Sequence, residues 1–136
     1  MSRRATPLDD GSLCPCGLGD PYGQCCGRFH RGEAAAPSAE QLMRSRYTAF
    51  AVGDAAYLVR TWHSSTRPHR LDLDARVTWS RLHILGHSGG GPFDATGTVE
   101  FRAHFTAAGR SDSQWENSLF VREHGDWRYL EPVADR

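Results

Sequence analysis

The chain has 136 residues, enough for one main domain with a small appendage, and its formal net charge is zero. Its sixteen Arg, with no Lys, are matched by sixteen Asp plus Glu, divided four against four before Ser38 and twelve against twelve after it. No segment therefore has the basic excess that phosphate neutralisation requires, which argues against non-specific nucleic-acid binding. No apolar run approaches the ~20 residues that span a bilayer, and residues 1–11 lack the apolar core of a secretory signal, so a soluble cytoplasmic protein is expected.

Residues 1–11 read as a flexible N-terminus. The four cysteines follow within residues 12–32 as two close pairs, Cys14 with Cys16 and Cys25 with Cys26, around a Gly- and Pro-rich loop. Adjacent and next-but-one cysteines are poor disulfide partners, because a bridge needs correctly aimed Cα atoms ~4.4–6.8 Å apart. Four thiolates converging on one ion, in a reducing compartment, are the better reading. Zn²⁺ takes four soft sulfurs at ~2.3 Å, and a closed shell leaves no position for water or substrate, so one structural zinc is expected. Gly17, Gly19 and Gly23 would let the chain reverse tightly through positive φ, while Pro15 and Pro21 restrict the unfolded ensemble. A Cys₄ shell also suits an iron–sulfur cluster, free thiols are the plain alternative, and His30 is near enough in sequence to replace one of the adjacent cysteines.

Residues 33–37 read as a linker, and residues 38–136 as the main domain. Ser38 with Gln41 forms a capping pattern, and Leu42, Met43, Tyr47, Phe50 and Ala51 recur at helical spacing until Gly53, which predicts a helix over 39–52. Asp54 caps a second helix with Tyr57, Leu58 and Trp62 on its apolar side, closed by Pro68. Beyond Leu71 the period becomes two, weakly at Val77, Trp79, Leu82 and Ile84, clearly at Val99, Phe101, Ala103 and Phe105, and again from Trp115 to Val121 and from Trp127 to Leu130. Glycine-rich turns at 88–92 and 124–126 separate the strands. Two helices followed by a four-stranded antiparallel meander give an α+β domain with the helices on one face of a curved sheet.

The cysteine run, with Gly17, Gly19, Tyr22 and Gly27 in place, resembles the SEC-C motif found at the C-terminus of the SecA translocation ATPase, a motif that binds zinc. It departs from the usual pattern at Leu18 and Asp20, where a small and a basic residue are common. The stretches Cys25-Cys26-Gly27-Arg28-Phe29-His30-Arg31-Gly32, Leu42-Met43-Arg44-Ser45-Arg46-Tyr47 and Thr61-Trp62-His63 with Ser65-Thr66-Arg67 resemble the YchJ-type bacterial family across nearly the whole chain. That resemblance implies a nuclear-transport-factor-2-like cone whose sheet curls around the helices and often encloses a pocket. Longer relatives carry a second cysteine knuckle, for which this sequence has no further cysteines.

Several side chains are candidates for such a pocket: Tyr47, Trp62, His63, Arg67, Glu100, Arg102 and His104. His63 or His104 would serve as a general base, although a histidine near a helix C-terminus also suits the dipole. Glu100, Arg102 and His104 alternate with Val99, Phe101 and Phe105; the apolar side must be buried, which favours solvent for the charged trio. Arg44 and Arg46 suit carboxylate or phosphate recognition, with pairing to Asp or Glu as the plainer expectation. Trp79, Trp115 and Trp127 read as core or dimer-contact aromatics. No Ser-His-Asp order, phosphate loop or metal-hydrolase motif is present. The leading expectation is a non-enzymatic binding or adaptor protein that docks a protein partner through the zinc knuckle, with a small-molecule ligand in the cone. A hydrolase, isomerase or dehydratase using the cone pocket is the first alternative, and a dimerising structural module the second.

Overall fold

The computed structural model describes residues 8–133. Helix α1 is short, Cys26–His30, and follows a single 3-10 turn at Tyr22–Gln24. Helix α2 spans Ala39–Val52 because its ends are well made. The Ser38 hydroxyl accepts from the Gln41 N–H at 3.1 Å, and Gly53 closes the helix at φ +81°, a conformation that costs glycine little. The Asp54 carboxylate accepts from the Tyr57 N–H at 3.0 Å and starts helix α3, Ala55–Arg60. The expected extension of this helix through Trp62 to Pro68 does not form. Instead the Tyr129 N–H donates to the Thr61 carbonyl at 2.9 Å, and the His63 N–H donates to the Tyr129 carbonyl at 2.8 Å. Trp62 thus makes a parallel bridge to Tyr129 and is drawn out of the helix by an edge strand. His63 accordingly lies beyond the helix end rather than capping it.

Four strands follow: β1 Val77–Gly89, β2 Thr96–Ala107, β3 Arg110–Glu123 and β4 Asp126–Pro132, antiparallel in the order β1-β2-β3-β4. The α+β architecture is the one expected, with the helices over one face of the meander. Alternation along β2 buries Val99, Phe101 and Ala103 toward the helices. The weak alternation in β1 has a structural cause. Register shifts between Trp79 and Arg81 and between Ile84 and Gly86 insert Ser80 and Leu85. Trp79, Leu82 and Ile84 therefore oppose Phe105, Ala103 and Phe101 despite irregular spacing, and such bulges add local twist.

The core joins Leu42, Met43, Tyr47 and Ala49 of α2 and Tyr57 and Leu58 of α3 to Leu82, Val99, Phe101, Phe120 and Trp127 of the sheet. Phe29 of α1 is part of this same cluster. Polar contacts reinforce that junction. Arg44 Nη1 donates to the Cys16 carbonyl at 2.7 Å, and Arg60 Nη2 donates to the Phe29 and His30 carbonyls at 3.1 Å. Of residues 1–11, the first seven lie outside the described residues, whereas Asp10 accepts from Gly23 N–H at 2.9 Å and pairs with Arg31 at 3.0 Å.

Candidate metal centre and cavity

Gly17 and Gly19 take φ of +90° and +94°, which reverses the chain between the cysteine pairs; Gly23, also expected there, has no positive φ. The reversal aligns Leu13 with Pro21 in an antiparallel bridge and lets the Cys14 N–H donate to the Asp20 carbonyl at 2.9 Å. Cys14, Cys16, Cys25 and Cys26 are all buried, and their four Sγ atoms lie within 4.8 Å of one another. A tetrahedral shell with ~2.3 Å metal–sulfur bonds separates its sulfurs by ~3.8 Å, so this donor set fits one soft-ligand ion with little movement.

Without an ion, the surroundings favour the thiolate at one of the four sulfurs and the thiol at the other three. Bonds from the Cys16 and Cys26 side chains, joined by the backbone N–H groups of those residues, hold the Cys14 thiol far below its ordinary value. The same proton sharing pushes Cys16 and Cys26 upward, and burial lifts Cys25 to about 12. A buried Thr48 on α2 donates to Cys26 Sγ at 3.4 Å, the kind of outer-shell bond that orients a ligating thiolate. Binding of a metal there replaces shared protons and releases them. His30 stands apart from this set. Its Nε2 donates to the Ser45 carbonyl at 2.9 Å, so its Nδ1 accepts from the Tyr22 hydroxyl at 2.6 Å and neither nitrogen is left for a metal. Burial lowers the pKa of this imidazole.

A cavity of about 250 Å³ opens between α2 and the sheet. Its walls include Met43, Phe50, Trp79, Phe101 and Ala103, with Arg46, Tyr47, Trp62, Gln114, Glu116, Ser118 and Tyr129 also on its lining. Arg46 is only 4% exposed and donates through Nη1 to the Leu58 carbonyl and the Thr61 hydroxyl, both at 2.8 Å. Its guanidinium carbon stands 5.1 Å from the Trp62 ring centroid and 4.8 Å from that of Tyr129. Glu116 accepts from the Ser118 hydroxyl at 2.6 Å and from the Tyr129 hydroxyl at 2.8 Å.

Residues 38–132 match the family model described as "YchJ, middle NTF2-like domain", and residues 12–28 match the SEC-C motif. The chain belongs to the YchJ family. A UPF0225 protein of Streptomyces coelicolor is 55% identical over 118 residues, covering 87% of this chain and 92% of its own length. Another from Corynebacterium glutamicum is 54% identical, covering 88% and 94%. Among solved structures, a SEC-C motif containing protein from Rhodopseudomonas palustris superposes with a TM-score of 0.79 at 36% identity, covering 92% of this chain and all of that one. The chain is also similar to a SEC-C motif containing protein from Psychrobacter arcticus, at TM-score 0.74, 26% identity and 93% and 85% coverage.

Of the side chains proposed for the YchJ-family cavity, Tyr47 and Trp62 line it and five others do not. Glu100, Arg102 and His104 sit on the opposite face of β2 from the buried Val99, Phe101 and Ala103. There the Trp115 indole donates to Glu100 at 2.8 Å, Arg102 donates to Ser113 at 2.9 Å, and the His83 and His104 rings meet at 5.0 Å. His63 and Arg67 instead surround Glu123 at the end of β3, each at 4.0 Å, with Arg128 at 3.7 Å. The Ser64 hydroxyl and N–H also bond Glu123 and hold its carboxyl below the ordinary carboxylate value. The expected pairing of Arg44 is present, to Glu40 at 3.0 Å, whereas among the described residues Arg46 has no carboxylate within 4.0 Å. Arg46, Glu116 and Tyr129 were not singled out together by the sequence. The available signal was the place of Arg46 on the Met43–Phe50 stripe of α2, where an arginine must either lie buried or line a cavity.

Among the described residues, no helix is long and apolar enough to cross a membrane.

Proposed function

We propose that this is a non-enzymatic binding protein in which the four cysteines hold one structural zinc ion and the resulting knuckle docks a protein partner. Four sulfur donors complete a tetrahedral shell, so the ion has a folding role and leaves no site for a substrate. A reducing compartment such as the cytoplasm suits four metal-ligating thiolates.

The observation that carries the docking role is where the knuckle puts its apolar side chains. The sulfurs all point inward, while Leu13 and Leu18 are 69% and 46% exposed. They are two of the four large apolar side chains left exposed among the described residues, so the smallest part of the fold displays half of them. A loop braced by a metal presents such side chains at low ordering cost, which favours binding. In affinity capture from a cell extract, the wild-type chain should retain a protein that a Leu13→Ser, Leu18→Ser double variant with unchanged metal content does not. Identical captured sets from the two would remove the knuckle surface from this reading.

A further inference from the structure

The cavity under α2 contains a buried cation, Arg46, that has no carboxylate within 4.0 Å among the described residues, although Glu116 on the same lining supports its charge from farther away. Arg46 uses only Nη1 for protein bonds, which leaves its Nε and Nη2 without a protein partner among the described residues. Those two N–H groups form the side-on edge of the guanidinium, the edge that matches the two oxygens of a carboxylate. Burial lowers the Arg46 pKa to about 10, so the side chain stays charged at neutral pH. A buried cation without a paired anion is costly, and a bound anion relieves that cost.

The rest of the cavity limits what such an anion can be. At about 250 Å³ it falls below the ~300 Å³ at which ordinary drug-sized sites begin. Phe50, Trp79 and Phe101 offer flat apolar walls, and the Trp62 and Tyr129 rings flank the guanidinium. Glu116 also faces this space, with its carboxylate tied to Ser118 and Tyr129, so a second negative charge on the ligand would be repelled. We propose that the cavity binds a small monocarboxylate with a planar or short apolar body, gripped side-on by Arg46.

Calorimetric titration of the full metal-loaded chain with phenylacetate, hexanoate and the neutral phenylacetamide tests this. Phenylacetate should bind about tenfold or more tightly than phenylacetamide, because only the acid brings two oxygens and a negative charge to the Nε–Nη2 edge. Glu116→Gln, which retains an acceptor for Tyr129 and Ser118, should tighten phenylacetate severalfold by removing a like charge, and Arg46→Gln should lose at least about tenfold. The Glu116→Gln arm keeps the test decisive if Arg46→Gln fails to fold. Equal binding of acid and amide, no saturable binding of either acid, or unchanged or weakened phenylacetate binding in Glu116→Gln would overturn the proposal. Tighter binding of phenylalanine than of phenylacetate, lost in Glu116→Gln, would replace it with a zwitterion site.

Discussion

The knuckle and the cone are held together by different physics. Fourteen buried residues form the cone's cluster, with Leu58, Val99 and Phe120 wholly covered, so burial of apolar surface is sufficient to account for its cohesion. The knuckle's own cluster has five buried residues, and four of them are the cysteines. Such a segment has little apolar surface of its own with which to order, and under the proposed function an ion on the four sulfurs would supply the missing cohesion. The two parts still share a boundary, because Phe29 enters the cone's core and Thr48 reaches back to Cys26. Loss of metal should therefore disorder one part and loosen the other, without dissolving the sheet.

The largest effect that sharpens this contrast is expected from Cys25→Ser, which breaks a site whose metal contributes on the order of 10 kcal/mol of local folding energy in comparable small motifs. Limited proteolysis should then cut within residues 12–32 while the sheet stays resistant; equal resistance to wild type would show that the knuckle is ordered without its metal site. Leu58→Ala should act in the opposite sense, costing about 2–5 kcal/mol in urea denaturation while metal content stays unchanged. Ser38→Ala removes the cap that starts α2 and should cost about 1 kcal/mol by the same measurement.

A smaller effect follows from His30 at the boundary. Burial depresses its pKa below the ordinary 6.5, so the unfolded chain binds a proton that the folded chain resists. Its contribution is present in full above the unfolded value and is lost as pH falls through it toward the lower folded value. Wild type should lose stability over that window, and His30→Gln should flatten this part of the slope, with metal content followed in parallel. An identical slope in the variant would show that the boundary histidine is not the titrating group.

Much of this was legible in the sequence because local signals agreed with the fold. Ser38, Gly53 and Asp54 marked helix ends that the structure keeps, and the alternation of Val99, Phe101 and Ala103 gave the buried face of β2 directly. The close cysteine pairs likewise meet in one cluster. What escaped was set by contacts distant in sequence. Trp62 left its helix because Tyr129, far along the chain, supplied backbone partners. The bulges at Ser80 and Leu85 blurred a strand that is regular in space. The cavity's polar wall also joins Arg46 to Glu116 and Tyr129 from three separate elements, a grouping that no local spacing encodes.

The identity and role of the ion decide whether the cysteine cluster is a structural metal centre. Elemental analysis of the purified protein, with circular dichroism before and after chelation, should find one zinc per chain. Chelation should leave the strand signal in place with a lowered melting temperature. Iron at the site, or a metal-free chain with the same melting curve before and after chelation, would contradict a structural zinc centre.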